Sequence, residues 1–329
     1  MTTSDSISKR TRDAIEGSDT DELIRVIDGH CASKNWDALV NLRTLLAHAL
    51  SRGKQLWGVD QHIRYRLALE GTSELAAQAV VEGPARFALG PLTEVAANRH
   101  TFAELEPYLP AGPERSLIAH ERVLAGEHID PASIDQMVLE LPITLASWEP
   151  SYPRAEYKSD RVESHPPDLP PMEVFNLPDR VTPIDDAEAT TALLGLVTPW
   201  VEESNGRAHA VATEGEANDA IRALGPSRVR HTPISVAHAM AWMAWAAGSG
   251  GARGRRRGGA AGRFSAWWTV AAVAGVDWPP DPDELGTAAA ELQWFAWSDL
   301  AASTGWNLNL AIEDPIEGVS WALTAVDAV

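Results

Sequence analysis

From Ser18 to about residue 147 the apolar positions recur every three or four residues, the spacing that lines one face of an α-helix. Asp19, with Glu22 three residues on, marks a helix start, and Leu23, Ile24 and Ile27 then share a face. In Asn35–Ser51 the residues Trp36, Leu39, Val40, Leu42, Leu46 and Leu50 form a broad apolar stripe that Gly53 ends. Further helical stretches are predicted near 59–70, 72–82, 88–98 and 114–125. Asp130-Pro131 has the form of an N-cap followed by proline in the first turn. No run here alternates as a strand does. Residues 19–147 therefore read as an all-helical domain, an irregular bundle or a HEAT-like array, although no fixed repeat period is present. Residues 1–18 are polar, lack the apolar stretch of a signal peptide, and are expected to be mobile.

The pattern then breaks. Residues 148–188 carry eight prolines between Pro150 and Pro183. Proline lacks the N–H that helices and inner strands use, so this segment is expected to be an extended linker or to wrap a surface. Its aromatics, Trp148, Tyr152, Tyr157 and Phe175, favour wrapping. From 189 to 329 the periods mix. Arg207–Thr213 alternates as a strand, and further short strands are expected at Gln293–Trp297 and Trp306–Ile312. Val319–Val326 fits either period. Helices are predicted at Ala187–Leu196, Glu216–Leu224, from a Thr232-Pro233 cap through Ala247, at Gly259–Val273, and from Asp281-Pro282 to Leu292. The expected whole is mostly α: a helical N-terminal domain, a Pro-rich segment, and a small C-terminal α+β domain rich in tryptophan.

Composition narrows the classes. With 329 residues, 45% hydrophobic and 22% charged, the chain has the makeup of a globular protein. Its net charge of −19 disfavours non-specific binding to nucleic acid or to anionic membrane. The two most apolar runs, Ile234–Ala247 and Phe264–Val276, are shorter than the ~20 residues a bilayer crossing needs. The single cysteine, Cys31, excludes an internal disulfide and fits a cytoplasmic, reducing compartment; it reads as a small core residue.

The most unusual feature is Ala252–Phe264, ARGRRRGGAAGRF. Arg253, Arg255, Arg256, Arg257 and Arg263 stand among glycines, and no Asp or Glu occurs between Asp219 and Asp277. Glycines expose backbone amides, and a helix start at Gly258-Gly259 favours an anion. Arginine adds bidentate donors for phosphate or carboxylate. The loop is neither a Walker A nor a dinucleotide fingerprint, because the GK[ST] ending and a leading apolar strand are absent. An anion site on these five arginines with Gly258 and Gly259 is one expectation; a solvated loop, or one paired with the chain's own acids, is the other. Ten of the thirteen tryptophans lie past residue 190. Most read as core; Trp267 and Trp268 are stacking candidates, and as neighbours on one helix they cannot both face inward.

No HExxH, GxSxG or paired Cys/His spacing occurs, so neither a metal nor a cofactor is expected. His231 and His238 lie seven apart, with His231 ahead of the predicted cap. Glu313-Asp314-Pro315 reads as a turn after a strand, one that would gain interest by meeting the arginine loop.

The run RRRGGAAGRFSAWWTVAAVAGVDWPPDPDELG, with ELPITLASWEPSYPRAEYKSDR upstream, resembles an uncharacterised, mainly actinobacterial protein family known only as a domain of unknown function. The resemblance implies a bacterial, cytosolic protein and carries over no statement about activity. Three functions follow, in order. The first is a non-enzymatic interaction or scaffold protein, with a protein partner or a homo-oligomer. The second is an enzyme or ligand-binding domain for a phosphorylated small molecule, with His231, Glu313 or Asp314 as acid/base candidates. The third is nucleic-acid binding through the loop, which the global charge opposes.

Overall fold

The computed structural model describes residues 9–300 and 305–328. About half of the chain is helical, and the rest of its regular structure is dominated by one seven-stranded antiparallel sheet. Contacts divide the chain into two compact units. One comprises residues 1–122 with 157–162; the other comprises 123–156 with 163–329.

The first unit is built from α1 (Lys9–Gly17), α2 (Thr20–Ala32), α3 (Trp36–Ser51), α4 (Trp57–Glu70), α5 (Ser73–Val81), α6 (Leu92–Arg99), α7 (Phe102–Leu105) and most of α8 (Pro113–Leu124). The segment expected as a polar N-terminus thus carries a helix over residues 9–17. Asp19 accepts from the Glu22 amide (3.0 Å), as the sequence signal predicts, and Asn35, the first residue of the predicted stretch, caps α3 by accepting from the Ala38 amide (3.2 Å). Leu23, Ile27, Leu39, Leu42, Leu46 and Ile63 are fully buried, each contributing about 2 kcal/mol through removal from water. Cys31 is buried among them, and burial pushes its thiol up to about 11. Asp130-Pro131 initiates only one 3-10 turn, Pro131–Ser133, rather than a longer helix.

Besides the short two-stranded ribbon of β1 (Glu156–Tyr157) and β2 (Val162–Glu163), the chain forms one large sheet, which with its helices makes up the second unit. The main elements are β3 (Glu173–Asn176), β4 (Thr182–Ile184), α9 (Ala187–Gly195), α10 (Thr198–Glu202), β5 (Arg207–Glu214), α11 (Ala217–Ala223), β6 (Arg228–Ile234), α12 (Val236–Ser249), α13 (Gly259–Val273), α14 (Pro282–Glu291), β7 (Gln293–Ser298), β8 (Trp306–Asp314) and β9 (Val319–Asp327). The strand order is β3-β6-β7-β8-β9-β5-β4. Val319–Val326 is therefore a strand, and it lies deep in the sheet between β8 and β5.

Thr232 and Pro233 belong to β6, not to a helix cap; Ser235 caps α12 by accepting from the His238 amide (3.2 Å). Pro233 pairs with Phe295 of β7, but β3 reaches only as far as His231. The missing N–H therefore costs no hydrogen bond to β3.

The Pro-rich segment supplies both edge strands, β3 and β4, where proline is tolerated. This fixes the shape of the sheet. In a flat seven-stranded sheet the outer strands would lie ~29 Å apart, six spacings of about 4.8 Å. Asn176 and Thr182 are six residues apart and can be separated by no more than about 22 Å. The sheet must curl. Its concave side holds α11: Leu177, Ala217, Ala220, Ile221, Val229, Trp297, Ala311 and Ala322 form one cluster there. The opposite face meets α9, α12, α13 and α14 through a larger core that includes Trp294, Leu308, Leu310, Ile312, Trp321 and Leu323. With both faces covered, β8 and β9 are buried along most of their length.

Candidate functional site

Helix α12, VAHAMAWMAWAAGS, is alanine-rich and apolar all round, as a helix enclosed on all sides must be. It crosses α13 at closest approach where Gly262 meets the Ala244 carbonyl; a Cβ there would sit 2.2 Å from that oxygen. Gly250, with φ of 82°, ends α12 in the left-handed conformation and opens the arginine loop.

The chain's own carboxylates take up part of that loop's donor capacity. Buried Asp327 accepts from the Ala252 amide (2.6 Å) and from the Ser204 hydroxyl (3.0 Å). Glu203 accepts from the Arg255 amide (2.9 Å), with the Arg257 guanidinium 3.9 Å away. The amides of Arg257 and Gly258 donate to the Gly248 carbonyl. A Cβ on Gly251 would sit 2.4 Å from Asp327 Oδ2 and 2.9 Å from Trp200, so the loop lies flat on its support.

The five candidate arginines do not act together. Arg263 is fully buried and forks onto Glu149, Nε to Oε2 and Nη2 to Oε1, both at 2.7 Å; it also donates to the carbonyls of Pro142 (2.8 Å) and Thr144 (3.1 Å). Glu149 further accepts from Tyr152 (2.6 Å), Trp267 Nε1 (2.9 Å) and the Ala146 amide (2.8 Å). Burial alone would raise the Glu149 pKa. The Arg263 hydrogen bonds and charge, with those of Tyr152 and Trp267, outweigh it and hold Glu149 below the usual carboxylate value. The same burial and the neighbouring charge of Glu149 push the Tyr152 hydroxyl well up. Arg263 and the stacking candidate Trp267 thus fix the 140–152 segment onto α13. Trp268 is the outward member of the tryptophan pair, 39% exposed, and its ring meets Trp278 edge-on at 5.2 Å. Arg253, Arg255 and Arg257 are exposed, and Arg256 is half-buried.

The acid/base candidates lie elsewhere. His231 is sandwiched between Phe175 (3.8 Å, stacked) and Phe295 (5.7 Å, edge-on), and burial lowers its pKa. Glu313 accepts from the Ala217 amide (2.9 Å), and Asp314 closes a turn on the Ile316 and Glu317 amides. This pair is not among the carboxylates that hold the arginine loop's backbone, which are Glu203 and Asp327. Among the described residues no group of three or more His, Cys, Asp and Glu side chains is placed to hold a metal ion. No helix among them is long and apolar enough to cross a membrane.

What the sequence did not single out is a cavity of about 210 Å³ in the second unit, roughly seven waters' worth of liquid volume. Trp242 and Trp245 from α12, Trp306 and Asn307 at the start of β8, and Ser164 with Pro166, Pro167 and Leu169 from the Pro-rich segment line it. Trp245 and Trp306 stack in parallel, 5.0 Å apart at 8°, and Trp200 meets both edge-on. Most neighbouring indoles find acceptors: Trp200 on the Ala246 carbonyl, Trp294 on the Ala289 carbonyl and Trp321 on Asp186. The Trp245 N–H is buried and has none. Leaving such a donor unpaired costs about 1–3 kcal/mol. Trp242 and Trp245, three apart on one helix, were the legible part of the signal; their partners arrive from about 60 and 80 residues away.

The matched residues run through both units and every element described except α1. The chain belongs to DUF6183, a family of unknown function. Its family model matches residues 21–328, from α2 to the end of β9, so the helical unit and the tryptophan cavity both belong to the DUF6183 region. No curated protein and no solved structure matches the chain.

Proposed function

We propose that this DUF6183 protein is a non-enzymatic interaction protein, and that its second unit holds a protein partner by one apolar side chain seated in the tryptophan cavity. The observation that carries the reading is the cavity wall: three tryptophans, two prolines and a leucine around about 210 Å³, with an indole N–H left without an acceptor. That volume suits one aromatic side chain. Aromatic-lined pockets filled by a single large anchor supply most of the affinity in many interfaces. Rigid stacked indoles lose little conformational freedom on binding, which favours a preformed socket. The absence of a catalytic signature in the sequence and the placement of His231, Glu313 and Asp314 on structural duties support binding over chemistry. The finer expectation of an irregular helical bundle or HEAT-like array for residues 19–147 belongs to the same reading, as a further surface for partners.

The test uses the indole N–H region of a ¹⁵N–¹H correlation spectrum, titrated with N-acetyl-phenylalanine amide. Shifts concentrated on the resonances of Trp242, Trp245 and Trp306, and lost in a Ser164→Leu variant that fills the cavity, are expected. Shifts spread evenly over all thirteen indoles, or unchanged by Ser164→Leu, would overturn the reading.

A further inference from the structure

The arginine loop and the cavity share a wall. Gly251 packs on Trp200, whose ring abuts both Trp245 and Trp306. Arg256 Nη1 lies 3.2 Å from the Ser164 hydroxyl oxygen, and Ser164 lines the cavity. The loop backbone is fixed by Asp327, Glu203 and the Gly248 carbonyl, so its side chains are displayed from a rigid frame. Arg253 and Arg255 have no ion pair among the described residues, and Arg257 has only the 3.9 Å approach to Glu203. The chain carries 46 acidic residues, yet the stretch from 220 to 276 has eight arginines and no acid. Its own carboxylates tie down the loop's backbone, while the exposed guanidinium groups of Arg253 and Arg255 make no ion pair among the described residues.

We propose that the segment anchored in the cavity is acidic, with carboxylates on the residues flanking its aromatic anchor, and that Arg253, Arg255 and Arg257 read them. This rests on the cavity being a side-chain socket. The charges act over a Debye length of about 8 Å at physiological salt, and an extended peptide advances about 3.3 Å per residue. The recognised carboxylates therefore lie within two residues of the anchor on either side. An acidic peptide fits better than a nucleic acid: three exposed arginines on a chain of net charge −19 select a few local carboxylates but repel a long polyanion. Guanidinium forks match carboxylates in pairs, and complementary charge at a rim acts on encounter rate and partner choice.

The experiment is isothermal titration calorimetry of the full chain with two acetylated, amidated peptides, Asp-Asp-Phe-Asp-Asp and Asn-Asn-Phe-Asn-Asn, and with a short oligothymidylate. At about 50 mM salt the acidic peptide should bind about tenfold more tightly than the neutral one, and that advantage should shrink severalfold at about 500 mM. In the triple variant Arg253→Gln/Arg255→Gln/Arg257→Gln the two peptides should bind within about twofold of each other. Equal binding of both peptides to the unaltered chain would overturn the acidic preference and leave the socket standing. Binding of neither would remove the socket and the preference together. Tighter binding of oligothymidylate with the same arginine dependence would replace the peptide reading by a nucleic-acid one. Should the triple variant misfold, the salt dependence of the unaltered chain decides the same question.

Discussion

Replacing Glu149 by glutamine keeps the side-chain volume and removes one charge from the centre of the second unit. Five donors converge on that carboxylate: Arg263 Nε and Nη2, Tyr152 Oη, Trp267 Nε1 and the Ala146 amide. Both members of the ion pair are fully buried. The variant leaves the Arg263 guanidinium enclosed without a counter-charge, facing only one neutral amide oxygen at position 149 and the Pro142 and Thr144 carbonyls. Removing one partner of such a pair costs about 3–5 kcal/mol, a large share of the roughly 5–15 kcal/mol that holds a folded protein together. For a unit of about 200 residues each kcal/mol moves the melting temperature by about 2–4 °C, so Glu149→Gln should lower it by roughly 6–20 °C. Thermal unfolding followed by near-ultraviolet circular dichroism reads this directly, because Trp267 lies in the network. The pH dependence gives a second reading. The folded pKa of Glu149 lies below its unfolded value, near 4.3 for glutamate. Its contribution is complete above the unfolded value and is lost as pH falls through the folded one. The original and variant melting curves should therefore converge in acid. In the double variant Arg263→Met/Glu149→Gln the destabilisation should be less than the sum of the singles, since neither leaves the other's charge stranded. A loss under about 1 kcal/mol in Glu149→Gln, the size of an ordinary hydrogen bond, would refute the claim that this pair is desolvated.

Three further outcomes are expected. Gly262→Ala places a Cβ 2.2 Å from the Ala244 carbonyl at the α12–α13 crossing and should destabilise by about 1–3 kcal/mol in urea unfolding; a neutral result would mean the helices part freely. Asp327→Asn converts a charged acceptor for the Ala252 amide and the Ser204 hydroxyl into a weaker one, and should raise hydrogen exchange in residues 250–257 without altering that of α3. Cys31, buried and with its thiol pushed up to about 11, should react with a disulfide reagent at neutral pH only as fast as the protein opens; immediate reaction would contradict its burial.

The helical unit was legible because its information is local. The cap at Asp19 and the stripes of α2 and α3 lie within one or two turns of sequence, and the chain folds them as written. The Trp267–Trp268 pair, one in and one out, was equally local. The sheet was legible only in part. β5 alternates, but β8 and β9 are buried along most of their length, and a continuous apolar run has no period to read. The Thr232-Pro233 pair imitates a helix start; it sits in a strand because β3 stops short of Pro233, a fact about a neighbour some 60 residues away. The Pro-rich stretch forms the two sheet edges, and the few residues between them force the curl around α11. The arginine loop was conspicuous from composition alone. Which arginine faces inward was not, because Arg263 is assigned by Glu149, more than a hundred residues upstream. Sequence by itself determined helix positions, the acidic balance and the isolated basic loop, since each depends on near neighbours or on totals. Only the tertiary structure decided the strand order, the pairing of Arg263 and the meeting of Trp242, Trp245 and Trp306 with the 164–169 segment, since burial and charge pairing depend on residues that only folding brings together.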